Sequence, residues 1–399
     1  MNRSNSNRYV YIFIEVAKRE MDSRLALAVH LAKKGYSVMV GEKNQLLWNM
    51  FFNKYPPGVI FDKCAQIADT PNFEKLIKKG FIYTVLDEEG LITNSEYFTN
   101  SRFSKNAEKY IAANFVVGKH LNDLILNVYK DAKNIISGNP RYAMLLSDWS
   151  HWFSLEYDLV KNKYNEFVLL VSSFNPYPQV YKNTFSGMKE IDEYYKLKLK
   201  DYLESQKHSD LNFVLRPHPS DQPYDYSELQ IDDRFNIIPW ISASEYIVNA
   251  KCTTSIEAFI AGKRAFTWKL ITKEAAYKLA NIFADDISEF HMPVLESIQY
   301  RRKQILNNLL SFNDSPFDSL NIIASKIEDL SFKSTKKISK ISIHRYFHLK
   351  NKIRFLVKGD NYIRIKQKFT EKDIVYAKQK VSRYINDCVI NDKVLEINC

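Results

Sequence analysis

Short β-branched or aromatic runs that alternate with helical stretches leave a chain few ways to fold. Strands joined through helices pair in parallel, and the helices must then cover the sheet they connect. This sequence shows the alternation twice. In the first set the predicted strands are Val10–Ile14, Ser37–Val40, Val59–Phe61, Phe81–Leu86, Phe115–Val117 and Ile135–Ser137. Between the first two, Ser23–Lys34 reads as a helix, with Leu25, Ala28, Val29 and Ala32 on one face and Gly35 where a C-cap belongs. Periodicity breaks at Gly138-Asn139-Pro140-Arg141 and stays weak to Asn165. It then restarts with predicted strands at Phe167–Val171, Phe213–Leu215, Asn236–Ile238, Tyr246–Val248 and Arg264–Thr267, and helices at Met188–Gln206 and from Ser255 to Ala261. Helices dominate from Pro293 onward. The expectation is two Rossmann-like α/β domains, residues 1–145 and 165–330, followed by a mostly helical basic segment, 331–399.

Length and composition agree with two cores. At 399 residues the chain exceeds what one hydrophobic core usually supports. With 45% apolar and 14% aromatic residues it has the material to bury two. The net charge of +11 is uneven: between Lys333 and Lys368 stand twelve Lys or Arg and one acid, Asp360. Apolar residues are interleaved there, so that stretch fits either an anionic membrane surface or a solvated basic face. No RNP-like aromatic set accompanies the charge, which argues against nucleic acid as a partner. The four cysteines are widely spaced, with no CxxC and no histidine at ligand intervals, so neither a zinc site nor a disulfide framework is expected. No window holds the roughly 18 apolar residues of a membrane span. The expected location is the cytoplasm, with peripheral contact at the inner membrane face.

In open α/β sheets ligands bind beyond the carboxyl ends of the strands, and four such places carry suggestive chemistry. Asp87-Glu88-Glu89-Gly90 follows a strand; crowded carboxylates raise at least one pKa toward a general base's range, while the plain alternative is a solvated acidic turn. Arg216-Pro217-His218-Pro219 fixes an imidazole and a guanidinium at a rigid strand end, suited to a phosphate or leaving group, or simply to a structural turn. Cys252-Thr253-Thr254-Ser255-Ile256-Glu257 puts three hydroxyls before a helix. That fits an anion site with Glu257 on sugar or ribose hydroxyls, or a capping box in which Glu257 returns a bond to the N-cap. Charged Glu15 to Asp22, including Arg19 and Glu20, follows the first strand without a dinucleotide glycine pattern, and reads as substrate contacts or as a surface loop.

Together, Lys18-Arg19-Glu20 with Asp22, Lys33-Lys34-Gly35, Gly58 to Lys63, Asp87-Glu88-Glu89-Gly90-Leu91, Gly138-Asn139-Pro140-Arg141, Arg216-Pro217-His218-Pro219-Ser220, Trp240-Ile241 and Cys252 to Ala258 resemble the bacterial surface carbohydrate biosynthesis proteins. The acid-acid-Gly and His-Pro elements also resemble those of bacterial sialyltransferases. The resemblance implies a GT-B-like fold, two Rossmann-like domains facing across a cleft, and metal-independent sugar transfer from a nucleotide donor, a CMP-sugar, to a glycan acceptor. No cofactor is implied beyond the donor. It further implies Asp87, Glu88 or Glu89 as base, His218 at the donor phosphate, Thr253, Thr254 and Ser255 on phosphate and Glu257 on ribose. Arg216 would add a donor contact, and Arg19 and Glu20 acceptor contacts. Before the Cys-Thr-Thr run the resemblance implies a His-Asn-Gly-like sequence, whereas Val248-Asn249-Ala250-Lys251 stands here, so a histidine contact is missing and Lys251 would replace its charge. Two alternatives stay open: polyol-phosphate transfer from a CDP-alcohol, as in teichoic-acid-type polymerases, and a non-catalytic nucleotide-binding assembly protein.

Overall fold

The computed structural model describes residues 8–66, 69–87, 91, 102–172, 188–207, 211–217, 229–250, 252–268, 281–310, 318–331, 371–384, 389–392 and 395–398. The chain divides into two compact units: Met1–Met144 with Ile305–Cys399, and Leu145–Gln304.

The first unit is built on an eight-stranded sheet. Its parallel strands are β1 (Arg8–Ile14), β2 (Tyr36–Glu42), β3 (Val59–Asp62), β4 (Ile82–Leu86), β5 (Ile111–Val116) and β6 (Asn134–Ile136). Helices α1 (Ala17–Lys33), α2 (Lys43–Phe51), α3 (Thr70–Lys78), α4 (Lys105–Glu108), α5 (Lys119–Val128) and α6 (Pro140–Ala143) fall between or after them. The strands are nearly continuous apolar runs because helices cover both faces. Val10, Tyr11 and Ile12 of β1 are fully buried, as are Val59 and Ile60 of β3. Helix α1 ends as its sequence indicates: Gly35 takes φ +84°, and its N–H bonds Ala32 O at 2.8 Å.

Sheet order is β13-β14-β2-β1-β3-β4-β5-β6, so the chain starts in the middle, steps one way to β2, then reverses through β3 to β6. The reversal puts the topological switch between β1 and β3. The last two strands, β13 (Val389–Asp392) and β14 (Leu395–Asn398), form an antiparallel hairpin, and β14 pairs antiparallel with β2. The C-terminal part of the chain thus completes the first sheet. Tyr376 from the late helix Glu371–Tyr384 donates its hydroxyl to Asp22 at 2.9 Å. Close packing fixes Gly118, since a Cβ there would lie 2.3 Å from Leu309 O.

The second unit holds a six-stranded, wholly parallel sheet, order β12-β11-β10-β7-β8-β9. Its strands are β7 (Val168–Ser172), β8 (Phe213–Pro217), β9 (Gln230–Ile231), β10 (Tyr246–Ala250), β11 (Ala265–Thr267) and β12 (Asp285–Asp286). In chain order its α-helices are α7 (Ser154–Tyr164), α8 (Met188–Ser205), α9 (Ile237–Ala243), α10 (Thr254–Ile260) and α11 (Glu296–Leu309), the last running on into the first unit. The switch point lies between β7 and β10. One face of the sheet packs Val168, Leu170, Leu215, Val248 and Phe266 against Tyr195 and Leu199 of α8. Trp240, fully buried, meets Tyr164 and Phe167 at ring separations of 5.7 and 6.1 Å.

One predicted strand is a helix start instead. Asn236–Ile238 carries the right residue types for a strand, but Asn236 accepts the Ile238 N–H at 3.2 Å and acts as N-cap of α9. Pro239 sits in the first turn, where its missing N–H costs nothing. A local side-chain cap outcompetes strand pairing here. The basic stretch Lys333–Lys368 lies outside the described residues, and among those described no helix is long and apolar enough to cross a membrane.

Candidate functional sites at the two sheet switch points

The β1/β3 switch of the first unit holds a buried charge network. Glu20, fully buried on α1, accepts the Glu15 N–H at 2.8 Å and so shapes the turn after β1. Its other oxygen lies 3.6 Å from both Arg19 and Lys63. Lys43, at the start of α2, reaches Asp62 and Asp69 at 2.8 Å each and Glu15 at 3.4 Å. Asp62 is fully buried at the end of β3; it also receives the Tyr83 hydroxyl from β4 and the Lys63 N–H at 2.7 Å.

Burial works against the Lys43 charge, but Asp62, Tyr83, Asp69 and Glu15 together hold its pKa well above the ordinary lysine value. Burial pushes the Asp62 carboxyl up, with Lys43 opposing and Glu15 and Asp69 adding to the rise. Tyr83 is pushed well above its ordinary value by burial and by Asp62. The segment Glu15–Asp22 is therefore no surface loop: Glu20, Asp22, Ser23 and Arg24 are all buried, and the Arg24 guanidinium lies 4.4 Å from the Phe61 ring centre. Of the residues expected here, Arg19 and Glu20 are present in the network. Lys43, Asp62, Lys63, Asp69 and Tyr83 were not singled out as site residues, although two of them, Asp62 and Lys63, stand at and just after a strand end.

Asp87, the first acid after β4, is buried and bound by Arg102, Nε to Oδ2 at 2.9 Å and Nη2 to Oδ1 at 2.7 Å. Arg102 is itself fixed by backbone. Ala65 N–H bonds Arg102 O at 3.1 Å, and Ser104 N–H returns to Ala65 O at 3.0 Å. Glu88 and Glu89 lie outside the described residues.

In the second unit the switch point brings β7 and β10 together, with Ser172 opposite Ala250. Asn249, buried near the end of β10, accepts the Cys252 N–H at 2.9 Å and donates to Cys252 O, so a single side chain closes the turn. The turn delivers Thr253 exposed, and Thr254, Ser255 and Glu257 buried, at the start of α10. Thr253 occupies the N-cap position without a side-chain cap bond, so the capping-box alternative does not describe this helix start.

Arg216, buried in β8, donates to Arg234 O at 2.7 Å and Phe235 O at 2.5 Å, and its guanidinium lies 5.6 Å from the Trp240 ring centre. Burial lowers its pKa to about 10, against Asp233, Asp232 and Glu257, which raise it. Those two bonds hold a loop in which Phe235 has φ +62°, a left-handed conformation uncommon for an aromatic residue. His218 and Lys251 lie outside the described residues.

The same loop sets an acid-sensitive point. Burial alone would raise the Asp232 pKa, but bonds from Arg234, the Tyr164 hydroxyl (2.8 Å) and Lys163 (3.2 Å) bring it well below the usual carboxylate range. A depressed native pKa means stability that is full above the unfolded value near 4 and is lost as pH falls from there toward the native value. Acid unfolding of the wild type should steepen below about pH 4. Asp232→Asn should flatten that limb while lowering stability at neutral pH, as measured by denaturant titration across the pH range.

No family model matches the chain, and no curated protein matches it. Solved structures do. A putative UDP-N-acetylglucosamine 2-epimerase from Listeria monocytogenes superposes with a TM-score of 0.52 at 13% identity, covering 84% of this chain and 100% of that one. A UDP-GlcNAc 2-epimerase from Methanocaldococcus jannaschii, solved with UDP-GlcNAc and UDP, gives 0.48 at 11% identity over 80% and 99% of the two chains. The wall teichoic acid polymerase TagF, soaked with CDPG, gives 0.48 at 12% identity over 82% and 89%. At such identities the likeness concerns architecture. With one sheet wholly and the other mainly parallel, each reversing at its own switch point, and the Listeria protein matched over its whole length, the chain has a two-domain α/β fold of GT-B-like type.

Proposed function

We propose that this protein is a sugar-nucleotide-dependent glycosyltransferase of surface polysaccharide synthesis. The observation that carries the reading is the sheet order. In each unit the chain reverses direction beside its first strand, and in each a buried polar side chain there, Glu20 or Asn249, accepts a backbone N–H and shapes the turn. Nucleotides and sugars bind at such places because strand-end turns and helix starts offer N–H donors and positioned side chains in a crevice.

On this reading the second unit takes the donor. Thr253, Thr254 and Ser255 meet its phosphate, Glu257 the ribose, and Lys251 and His218 the leaving charge, which fixed donors stabilise as it develops. Arg216, committed to loop carbonyls, acts by holding the end of β8. In the first unit the acceptor meets the β1/β3 switch, where Arg19 and Glu20 belong to the network and Glu15 and Lys63 lie beside them. Asp87 anchors the acidic turn through Arg102, which leaves proton removal from the acceptor to Glu88 or Glu89. The donor nucleotide proposed from the motifs is CMP. The Listeria protein's name makes UDP a necessary comparison.

A thermal-shift panel of CMP, CDP, UDP, GDP and ADP compounds tests this, since stabilisation reaches about 2.7 kcal/mol at a hundredfold excess over Kd. One nucleotide class should raise the melting temperature, and Glu257→Gln should remove most of that shift. Incubation of the responding sugar nucleotide with glycan acceptors should form a glycosidic bond. A panel with no responder, or a phosphodiester product, would overturn the assignment.

A further inference from the structure

Helices α2 and α3 run side by side on one face of the first sheet and leave a groove of about 680 Å³ between them. From α2 it is lined by Leu47, Trp48 and Phe51, and from α3 and its end by Lys75, Lys78 and Lys79. The aromatic content continues past the end of α2: Trp48 stacks on Phe52 with ring centres 5.3 Å apart and planes 10° from parallel, and Phe52 is 47% exposed. A stacked Trp–Phe pair at a surface, rimmed by lysines, has the composition of a side chain set at a membrane interface. Aromatic rings settle at headgroup depth while lysine stems lie along apolar surface and carry the ammonium outward.

We propose that this groove docks the protein on an anionic lipid surface, with Trp48 and Phe52 entering the headgroup layer and Lys75, Lys78 and Lys79 over the lipid phosphates. Charge selects this occupant. Three of the groove's lining residues are lysines and none is acidic. Glu74, the carboxylate next to Lys75 on the same helix, is engaged by Lys78 at 2.7 Å. The cations are also splayed, Lys78 to Glu74 and Lys79 to the Asn53 side chain at 2.6 Å, and do not converge on one point. A single phosphate ligand is held by converging, ordered donors, often arginine; separate ammonium groups on flexible stems suit a diffuse sheet of charge. The walls are helix flanks with their N–H groups already bonded, which disfavours a nucleotide. The proposal is independent of the glycosyltransferase reading and uses none of its site residues.

Cosedimentation of the full chain with phosphatidylcholine vesicles, with and without phosphatidylglycerol, tests it. The wild type should bind only the vesicles containing phosphatidylglycerol, and added salt should weaken binding by screening. Each cation near an anionic leaflet is worth about fivefold in affinity, so Lys75→Ala/Lys78→Ala should bind roughly 25-fold more weakly. Phe52→Ser, an independent change at an exposed position, should weaken it as well. Both variants should melt with the wild type, since the altered side chains are exposed. Brominated lipid should quench tryptophan emission in the wild type and quench Trp48→Phe less. Absence of wild-type binding would overturn the proposal and leave the groove to a protein partner. Equal binding by wild type and both variants would also overturn it and move lipid contact to another surface such as Lys333–Lys368.

Discussion

Replacing Lys43 with methionine should destabilise the protein by about 3–5 kcal/mol at neutral pH, because it leaves the fully buried Asp62 carboxylate without its cation. Methionine keeps the stem's volume, so the loss is electrostatic and not a packing defect. Asp69 and Glu15, which Lys43 also neutralises, then face Asp62 as like charges. The sign of the pH dependence follows. Without Lys43 the Asp62 pKa rises further, the folded state binds the extra proton, and the deficit should shrink as pH falls through that raised value. Adding Asp62→Asn should recover much of the loss, since Tyr83 still has an amide oxygen to bond. Urea denaturation of the single and double variants between pH 5 and 8 would measure all three effects. A Lys43→Met variant as stable as the wild type would show that solvent reaches the network freely.

The second large effect is expected at Arg102. Arg102→Met strands the buried Asp87 carboxylate, which its guanidinium binds at 2.7 and 2.9 Å, and should also cost about 3–5 kcal/mol. The functional consequence distinguishes Asp87 from its neighbours. If Asp87 anchors the acidic turn, Arg102→Met and Asp87→Ala should lower stability and activity together, and cooling or a bound nucleotide should restore part of the activity. A group that takes the acceptor's proton behaves otherwise: Glu88→Gln and Glu89→Gln should leave stability unchanged, and the one that removes the base should lower kcat at every temperature. Full stability in Arg102→Met with lost turnover would instead put the Asp87–Arg102 pair in the chemistry.

Much of the molecule could be read from residue order. Strands β1 to β8, β10 and β11 lie where β-branched and aromatic runs predict them, because a strand buried on both faces must be apolar along its length, and that leaves a visible mark. The short strands β9, β12, β13 and β14 do not, and β13 and β14 fall in the stretch expected to be mostly helical. The error at Asn236–Ile238 has an equally local cause: one asparagine side chain capping a backbone N–H turned an apolar run into a helix start. Site reading was uneven for a different reason. Arg19 and Glu20 announced themselves as charges after a strand. Lys43 and Asp62 did not, since Lys43 stands within the polar run Glu42 to Gln45 and Asp62 beside Lys63 with nothing local to mark either, and only the sheet order makes neighbours of the ends of β1, β3 and β4. Arg216 was legible as a rigid cation at a strand end, but its partners, the Arg234 and Phe235 carbonyls, are set by a loop whose left-handed residue no local pattern foretells.

By itself the sequence determined two α/β units and which residues stand at their strand ends, because hydrophobic period and cap chemistry act over a few neighbouring positions. The tertiary structure alone decided that β14 returns to pair with β2, that Lys43 meets Asp62, and that Asp87 is held by Arg102. Those pairings join groups from 15 to hundreds of residues apart. The two ion pairs exist because burying a charge is tolerable only beside its counter-charge, and β14 covers β2 because a sheet edge leaves backbone N–H and C=O groups to be paired; no short stretch of chain contains either condition.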